Sequence, residues 1–172
     1  MRELYLAGGC FWGMEKALKA LDGVVDTETG YANGRMESPS YEDVCTDTTG
    51  HRETVKVIYD PDIVSLETLL RAFFICVNPM QKNRQGNDIG TQYQSGVYTT
   101  DAESETFVRQ YMENKRKDYP SFYTEYGPLK SFWPAEEYHQ DYLDKNPQGY
   151  CHISNAEYEL VKQLNTEART HD

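Results

Sequence analysis

Cys10 is the residue of this 172-residue sequence whose position most clearly indicates chemistry. It lies between Gly8-Gly9 and a run of apolar residues at helical spacing, so it stands at the first turn of a predicted helix. Unpaired backbone N–H groups and the helix dipole at such a position stabilise a thiolate, the reactive form of cysteine. Cys10 is therefore a candidate nucleophile. The alternative is a small buried apolar residue.

Two large aromatic residues, Phe11 and Trp12, follow Cys10 directly. Large rings in an exposed first turn, beside a candidate nucleophile, would form a site for a small apolar group. The alternative for either ring is ordinary core packing.

Glu53 is the second candidate. The alternation from residue 53 to 59 places Glu53 on one face of a predicted strand with Val55 and Val57. If that face is the core face, desolvation raises the pKa of the carboxyl group, which can then act as a general acid. The alternatives are a buried partner for Arg52 or another cation, and a solvent-exposed strand end.

Tyr41 and Tyr93 are candidate hydroxyl donors among the 14 tyrosines of the chain. Either residue taken alone is also compatible with a packed or a surface tyrosine. Their position relative to Cys10 and Glu53 is not predicted by the local sequence.

Cys151 ends a segment, residues 146–151, whose proline and glycine predict a mobile loop. A thiol in such a loop can reach a sulfenic acid on another cysteine and form a disulfide. The alternative is an incidental surface cysteine. Cys76 lies in an apolar run and is predicted to be structural, whereas Cys45 is compatible with either role.

The elements that must position these residues follow the order β-α-β, β-α-β, then a helix and a tail. This order predicts one α+β domain over residues 1–172, a two-layer α/β sandwich of the split βαβ kind. Predicted strands cover residues 3–7, 24–30, 53–59, 92–99 and 122–126, and predicted helices cover residues 11–21, 66–77, 102–117, 135–143 and 155–163.

Composition excludes several classes of function. A net charge of −11 disfavours attraction to nucleic acid and to anionic membranes. The sequence contains no apolar stretch of membrane-spanning length and no signal-like start, so a cytoplasmic protein is expected. The four cysteines are predicted to be free thiols. Neither metal-ligand spacing nor a phosphate-binding loop indicates a bound cofactor.

Four separated segments, in the same order, resemble the successive motifs of the type A peptide methionine sulfoxide reductases. The similarity extends roughly from Tyr5 to Cys151, and four matches in order are far more specific than one. The segments are Gly9-Cys10-Phe11-Trp12-Gly13, Gly50-His51-Arg52-Glu53, Asn83-Arg84-Gln85-Gly86-Asn87-Asp88-Ile89-Gly90-Thr91-Gln92-Tyr93 and Ala135-Glu136-Glu137-Tyr138-His139-Gln140-Asp141-Tyr142-Leu143.

The resemblance implies a reaction and a role for each matching residue. Cys10 would attack the sulfoxide sulfur, and Glu53 would donate the proton that lets the oxygen leave as water. Tyr41 and Tyr93 would hydrogen-bond that oxygen, and Asp88 would support this polar cluster. Cys10 would be left as a sulfenic acid after methionine is released.

The resemblance also implies how the substrate is held and how the enzyme is recycled. Phe11 and Trp12 would hold the S-methyl group. Cys151 would resolve the sulfenic acid as a Cys10–Cys151 disulfide, which thioredoxin, the external reductant, would reduce. The implied substrate is the S epimer of methionine sulfoxide, free or in oxidised proteins and peptides. The implied fold is ferredoxin-like with a long, coil-rich C-terminal part. The protein is expected to be a monomer without a bound cofactor.

Three departures from the family pattern concern loop shape and substrate preference. Val77-Asn78-Pro79-Met80 replaces a common His-Asp-Pro-Thr, Arg52 replaces alanine, and Gln94 replaces arginine. None removes a proposed catalytic group. Because neighbours on a strand point to opposite faces, Arg52 is expected to point away from Glu53.

Two other functions remain open from the residues alone. A thiol peroxidase also needs a reactive and a resolving cysteine, although peroxide offers no methyl group for Phe11 and Trp12 to hold. A noncatalytic module could bind methionine or its sulfoxide through the same two rings. Such a module would tolerate loss of Cys10.

Overall fold

The computed structural model describes residues 1–170 and contains eight strands and six α-helices in that range. The strands are β1 (Arg2–Ala7), β2 (Val24–Ala32), β3 (Arg52–Tyr59), β4 (Arg84–Gln85), β5 (Asp88–Ile89), β6 (Gly96–Thr99), β7 (Glu125–Pro128) and β8 (Phe132–Pro134). The helices are α1 (Phe11–Lys19), α2 (Tyr41–Cys45), α3 (Leu66–Cys76), α4 (Ala102–Lys115), α5 (Tyr142–Lys145) and α6 (Asn155–Thr170).

The central sheet has the strand order β7-β6-β1-β3-β2-β8, and β4 and β5 form a separate small hairpin. Neighbouring strands of the sheet are antiparallel except for β6 and β7. The units β1-α1-β2 and β3-α3-β6 interleave, so that β3 lies between β1 and β2. This arrangement confirms the predicted ferredoxin-like, split βαβ core.

One face of the sheet carries the main hydrophobic core, because α1 and α3 turn their apolar sides toward it. Complete burial of a large aliphatic or aromatic side chain contributes roughly 1.5–3 kcal/mol, so this layer supplies most of the stabilisation. It includes Leu4, Leu6, Val55 and Val57 from the sheet, Met14 and Leu18 from α1, and Leu69 and Phe73 from α3.

Helix starts follow the sequence closely where a capping side chain is present. Ser65 accepts a hydrogen bond from the N–H of Thr68 at 3.1 Å, and Asp101 accepts one from Ser104 at 2.7 Å. Ser40 and Asp43 form a reciprocal capping box that starts α2, a short helix absent from the sequence prediction.

The predicted helix over residues 135–143 is wrong. The segment contains a 3-10 turn and α5, separated by Asp141 in a left-handed conformation with φ of +52°. The backbone N–H of Asp141 donates to Glu15 at 2.7 Å, and the side chain of Gln140 bonds to the backbone of Thr29. Contacts with α1 and β2 therefore replace the bonds of a continuous helix.

Two predicted strands begin too early. The strand expected from residue 92 starts at Gly96, because Thr91–Tyr93 form a 3-10 turn. The strand expected over residues 122–126 is β7, shifted toward the C-terminus, and β8 was not predicted. Helix α6 is longer than predicted.

Within residues 1–170, no helix has both the length and the apolar composition needed to cross a membrane.

Candidate active site

The sheet topology brings Cys10 and Glu53 to the same end of the molecule. Because β1 and β3 are antiparallel, the last residue of β1, Ala7, pairs with Thr54 near the start of β3. Cys10 is the N-terminal cap of α1, and the following amide, the N–H of Phe11, donates to Oε1 of Glu53 at 3.3 Å. The helix start that presents the thiol is thus bonded to the carboxyl group.

Glu53 is buried on the core face of β3, with 1% of its surface exposed. Burial raises its pKa to about 8, and Asp88 adds to this, while hydrogen bonds from Gln92 and Phe11 act in the opposite direction. The Gln92 amide donates to Oε2 at 2.8 Å. At neutral pH the carboxyl group therefore carries a proton, as a general acid requires.

Arg52 does not pair with Glu53. Its guanidinium group lies on the opposite face of β3, donates to Glu125 at 3.0 Å, and reaches the carbonyl oxygens of Gly50 and Thr91. The alternative interpretation of Glu53 as a partner of Arg52 is therefore wrong.

The Cys10 side chain is a neutral thiol in this arrangement. Only 7% of the residue is exposed, and burial raises the pKa of the thiol, with further increases from Glu53, Asp88 and Cys151. The hydrogen bond from the backbone N–H of Trp12 lowers the pKa of the thiol, but the effect of burial is larger. The expectation of a thiolate stabilised by the helix start is thus wrong for the resting site, because desolvation exceeds the effect of one amide.

Tyr41 and Tyr93 lie beside Cys10 and Glu53. Tyr41 begins α2 and interacts with the Cys45 thiol through its hydroxyl group, and Tyr93 follows Gln92. Burial raises the pKa of both phenols, and the charge of Glu53 adds to the rise. Both hydroxyl groups therefore keep their protons and can donate hydrogen bonds.

The aromatic pair after Cys10 divides into a buried and an accessible member. Phe11 has no exposed surface and packs against the rings of Tyr31 and His139, so its expected position in an exposed first turn is wrong. Trp12 is partly buried and stacks on Tyr142 with ring centres 3.8 Å apart. Its indole N–H donates to Nδ1 of His139 at 3.0 Å.

Cys151 lies against the first turns of α1. A Cβ atom added at Gly13 would be 3.2 Å from its sulfur, and Gly13 is three residues after Cys10. The thiol donates weakly to the carbonyl of Ile153 at 3.4 Å. The preceding residue, Tyr150, donates to Asp88 at 3.0 Å, so the Cys151 segment is bonded to β5 of the β4–β5 hairpin.

Four further residues, to which no role is predicted from the sequence, shape this site. Gln92 holds Glu53, and His139 with Tyr142 holds Trp12. Glu136 accepts hydrogen bonds from the N–H of Tyr41 and from the hydroxyl group of Tyr31, both at 3.2 Å. All four lie within the segments that carry the family resemblance, which is the signal that could have identified them.

No group of three or more His, Cys, Asp or Glu side chains in the described part of the chain is arranged to hold a metal ion. The site chemistry that can be described is that of two thiols, a protonated carboxyl group and phenol hydroxyl groups.

Comparison with known proteins agrees with this geometry. The family described as "Peptide methionine sulfoxide reductase" matches residues 2–170. The "Peptide methionine sulfoxide reductase MsrA" of Clostridium acetobutylicum is 48% identical over 164 residues, which cover 95% of this chain and 99% of the relative.

Solved structures show the same similarity. Mxr1 from Saccharomyces cerevisiae in reduced form has a TM-score of 0.83 and 38% identity, covering 89% of this chain and 91% of the yeast chain. Methionine sulfoxide reductase A of Corynebacterium diphtheriae has a TM-score of 0.83 and 37% identity, covering 87% and 77% of the two chains. Mxr1 in complex with Trx2 is less similar, with a TM-score of 0.58 and 23% identity over 82% and 84% of the chains. The chain belongs to the type A peptide methionine sulfoxide reductases.

Proposed function

We propose that this reductase acts on the S epimer of methionine sulfoxide, free or in oxidised proteins and peptides, with Cys10 as nucleophile and Glu53 as proton donor. The observation that carries the proposal is the shared helix start. The Phe11 amide next to Cys10 is bonded to Glu53 at 3.3 Å, and Glu53 is buried with a pKa of about 8. A nucleophile and an acid held by one turn of backbone can act on adjacent atoms of one substrate.

In the first step the two electrons come from Cys10. Its sulfur attacks the sulfoxide sulfur while Glu53 protonates the sulfoxide oxygen, and the thiol proton of Cys10 restores the Glu53 carboxyl group. Glu53 then gives up its proton again, the S–O bond of the sulfoxide breaks, and the oxygen leaves as water. A water molecule attacks the Cys10 sulfur, the bond between the two sulfur atoms breaks and methionine is released, and the proton of the attacking water returns to Glu53. The net change is thiol plus sulfoxide to sulfenic acid plus thioether, so no proton is gained or lost.

The polar and apolar parts of the substrate have separate partners. The Tyr41 and Tyr93 hydroxyl groups donate to the sulfoxide oxygen, and Asp88 supports this polar cluster through its charge. Trp12 contacts the S-methyl group, and its ring is held in place by His139 and Tyr142. Phe11 supports Trp12 and His139 from within the core, because the Phe11 ring has no exposed surface.

In the second step Cys151 attacks the Cys10 sulfenic acid, a Cys10–Cys151 disulfide forms, and water leaves. Thioredoxin, as external reductant, reduces this disulfide by thiol–disulfide exchange. The contact of Cys151 with Gly13 and the complex of Mxr1 with Trx2 support this step.

We propose a single domain over residues 1–172, of which residues 171 and 172 lie outside the described part, and a monomer in the cytoplasm. No bound cofactor, nucleic-acid partner or membrane partner is proposed. The net charge of −11 disfavours binding to nucleic acid and to anionic membranes.

Thioredoxin-coupled NADPH consumption, measured with separated S and R epimers of a blocked methionine sulfoxide, tests the proposal. We expect turnover of the S epimer alone. Turnover of the R epimer would overturn the stereochemical assignment. If neither epimer supports NADPH consumption with competent thioredoxin, single-turnover methionine formation decides the cause. If methionine forms in a single turnover, only the choice of reductant is wrong. If no methionine forms, the proposed chemistry is wrong.

A further inference from the structure

His152, the residue after Cys151, occupies space that two glycines beside the nucleophile leave open. A Cβ atom added at Gly9 would lie 3.0 Å from Nε2 of the ring, and one added at Gly13 would lie 3.0 Å from Nδ1. Gly9 directly precedes Cys10, and Gly13 is one helical turn after it. The imidazole ring is therefore packed across the helix start that carries Cys10.

The same contacts place the ring close to the resolving thiol. The Cys151 sulfur and Nδ1 of His152 each lie about 3 Å from the same point at Gly13, so these two atoms are separated by no more than about 6 Å. The Cys151 thiol, which now donates to the Ile153 carbonyl at 3.4 Å, must turn away from that carbonyl before its proton can pass to the ring.

Both nitrogen atoms of the His152 ring are buried without a hydrogen-bond partner. Such atoms are uncommon in folded proteins, where buried polar groups are nearly always bonded. The Gly8 carbonyl faces the ring and favours its protonated form, but the alignment does not meet hydrogen-bond geometry. The neutral ring thus has a free lone pair close to Cys151 and to the backbone on either side of Cys10.

Three groups oppose the effect of burial on the pKa of His152. Burial lowers this pKa, while the carboxyl groups of Asp88 and Glu157 and the carbonyl group of Gly8 oppose the effect. The Cys151 thiol also lies near the ring, at the same point of Gly13. Burial is the largest of these influences, so the ring is neutral at physiological pH and able to accept a proton.

We propose that His152 is the acid–base group of the resolving step, taking the proton of the Cys151 thiol and giving it to the oxygen that leaves Cys10. The S–H bond of Cys151 breaks, the S–S bond forms, and the S–O bond of the Cys10 sulfenic acid breaks. The transferred proton converts the departing hydroxide to water. Cys10 sulfur is reduced as Cys151 sulfur is oxidised, so atoms and electrons balance without a further reactant. The inference depends on the proposed function, because it needs the Cys10 sulfenic acid as substrate.

The test follows one turnover of reduced enzyme with excess S-sulfoxide and without thioredoxin. Methionine is measured by chromatography, and disulfide formation is measured by loss of free thiols after rapid quenching. The variants are His152→Asn and His152→Gln, whose amides fill part of the ring's space but cannot carry the proton. Circular dichroism checks that each variant is folded.

We expect methionine to form at the wild-type rate in both variants and disulfide formation to slow by about 100-fold, the usual contribution of a general base. The Cys10 sulfenic acid should then accumulate and be trapped by dimedone. Disulfide formation at the wild-type rate in a folded variant would overturn the proposal. If methionine fails to form in the wild-type enzyme, the proposed function fails instead.

The pH dependence separates proton transfer from packing. In the wild type, disulfide formation should be nearly constant from about pH 7 to 8.5, because the neutral ring supplies the base throughout this range. In the variants it should rise about tenfold per pH unit, because hydroxide must remove the thiol proton. A wild-type rate that rises in the same way would exclude the role, even if neither variant folds. If the variants form the disulfide slowly but at a rate that does not change with pH, His152 acts only by packing and the proposed proton transfer is wrong.

Discussion

The two cysteines of the proposed cycle lie in regions of different construction. Cys10 is held between β1 and α1, and its neighbour Glu53 lies on β3, the strand between β1 and β2. Cys151 lies on coil between α5 and α6, and residues 146–148 of this coil are all exposed. The step that needs precise placement of reacting atoms is thus built on the sheet, whereas the step that needs one sulfur to approach another is built on coil.

The hydrogen bonds of the two regions differ in the same way. Glu53 is bonded to residues from α1 and from the turn before β6. In the Cys151 segment, the amide of Gly149 bonds to the nearby carbonyl of Asn146, and the one long-range side-chain bond shown for residues 147–151 joins Tyr150 to Asp88. A segment with few long-range hydrogen bonds opens at a lower free-energy cost than a sheet strand.

Cys10→Ser should remove both steps and gives the largest expected effect. A hydroxyl group lacks the nucleophilicity of a thiol and cannot form the sulfenic acid, so we expect methionine formation to fall by more than about a thousandfold. Single-turnover methionine analysis measures this. Retained activity would contradict the assignment of Cys10. Cys76→Ala, another buried cysteine, is the matched control and should keep the wild-type rate.

Cys151→Ser should separate the two regions. We expect about one methionine per enzyme at the wild-type rate and almost no thioredoxin-supported cycling, because the sulfenic acid has no resolving thiol. The ratio of methionine to enzyme and the rate of NADPH consumption measure the two effects. Cys45→Ser, on the exposed cysteine, is the control. Normal cycling of Cys151→Ser would move the resolving role to Cys45, Cys76 or the reductant itself.

Glu53→Gln should slow the first step by about 100-fold or more, because the amide keeps the size of the side chain but donates no proton to the sulfoxide oxygen. Single-turnover rates measure this loss. Glu15→Gln is the matched control, since Glu15 is also a buried carboxyl group, 2% exposed, and lies outside the site. Equal rates in Glu53→Gln and the wild type would contradict the role of Glu53.

Glu53→Gln should also change how stability depends on pH. Because the pKa of Glu53 rises from its ordinary 4.5 to about 8 in the folded protein, the folded state retains a proton that the unfolded state loses in this interval. The wild-type free energy of unfolding should therefore fall, relative to that of the variant, as pH rises from about 4.5 to 8. Urea unfolding at pH 5 and pH 8 measures the difference. A difference that does not change with pH would contradict the raised pKa.

Trp12→Phe should give the smallest effect and tests the link between the two halves of the chain. The substitution removes the hydrogen bond from the indole to His139 but keeps an aromatic ring beside Tyr142. A loss of about 1 kcal/mol in substrate binding corresponds to a rise in KM of about fivefold. Steady-state kinetics measure KM and kcat separately. Phe107→Leu, at an exposed ring on α4, is the control and should leave KM unchanged.

Much of the fold is predictable because the main elements have strong local signals. The alternation in β3 and the apolar stripes and caps of α3 and α4 are strong enough to predict both type and position. The prediction fails between residues 119 and 145, where the elements are short. Asp141 shows why, since its backbone bonds to Glu15, a residue 126 positions away. Local propensity contains no information on such a contact.

The chemical groups of the site and their order along the chain are predictable without coordinates. The first turn of α1, the face of β3 and the family motifs identify Cys10, Glu53 and Cys151 as candidates without coordinates. Sequence also places Arg52 on the face opposite Glu53, because side chains alternate along a strand.

The protonation states of these groups and their hydrogen-bond partners depend on the tertiary structure. Burial of Cys10 and Glu53 depends on how α1, β3 and the turn containing Gln92 pack together, and desolvation is what raises both pKa values. Likewise, the ring of His152 packs against the backbone on either side of Cys10 because Gly9 and Gly13 leave room for it. These properties arise from groups far apart in the chain, and the energy of a buried charge depends on all atoms around it.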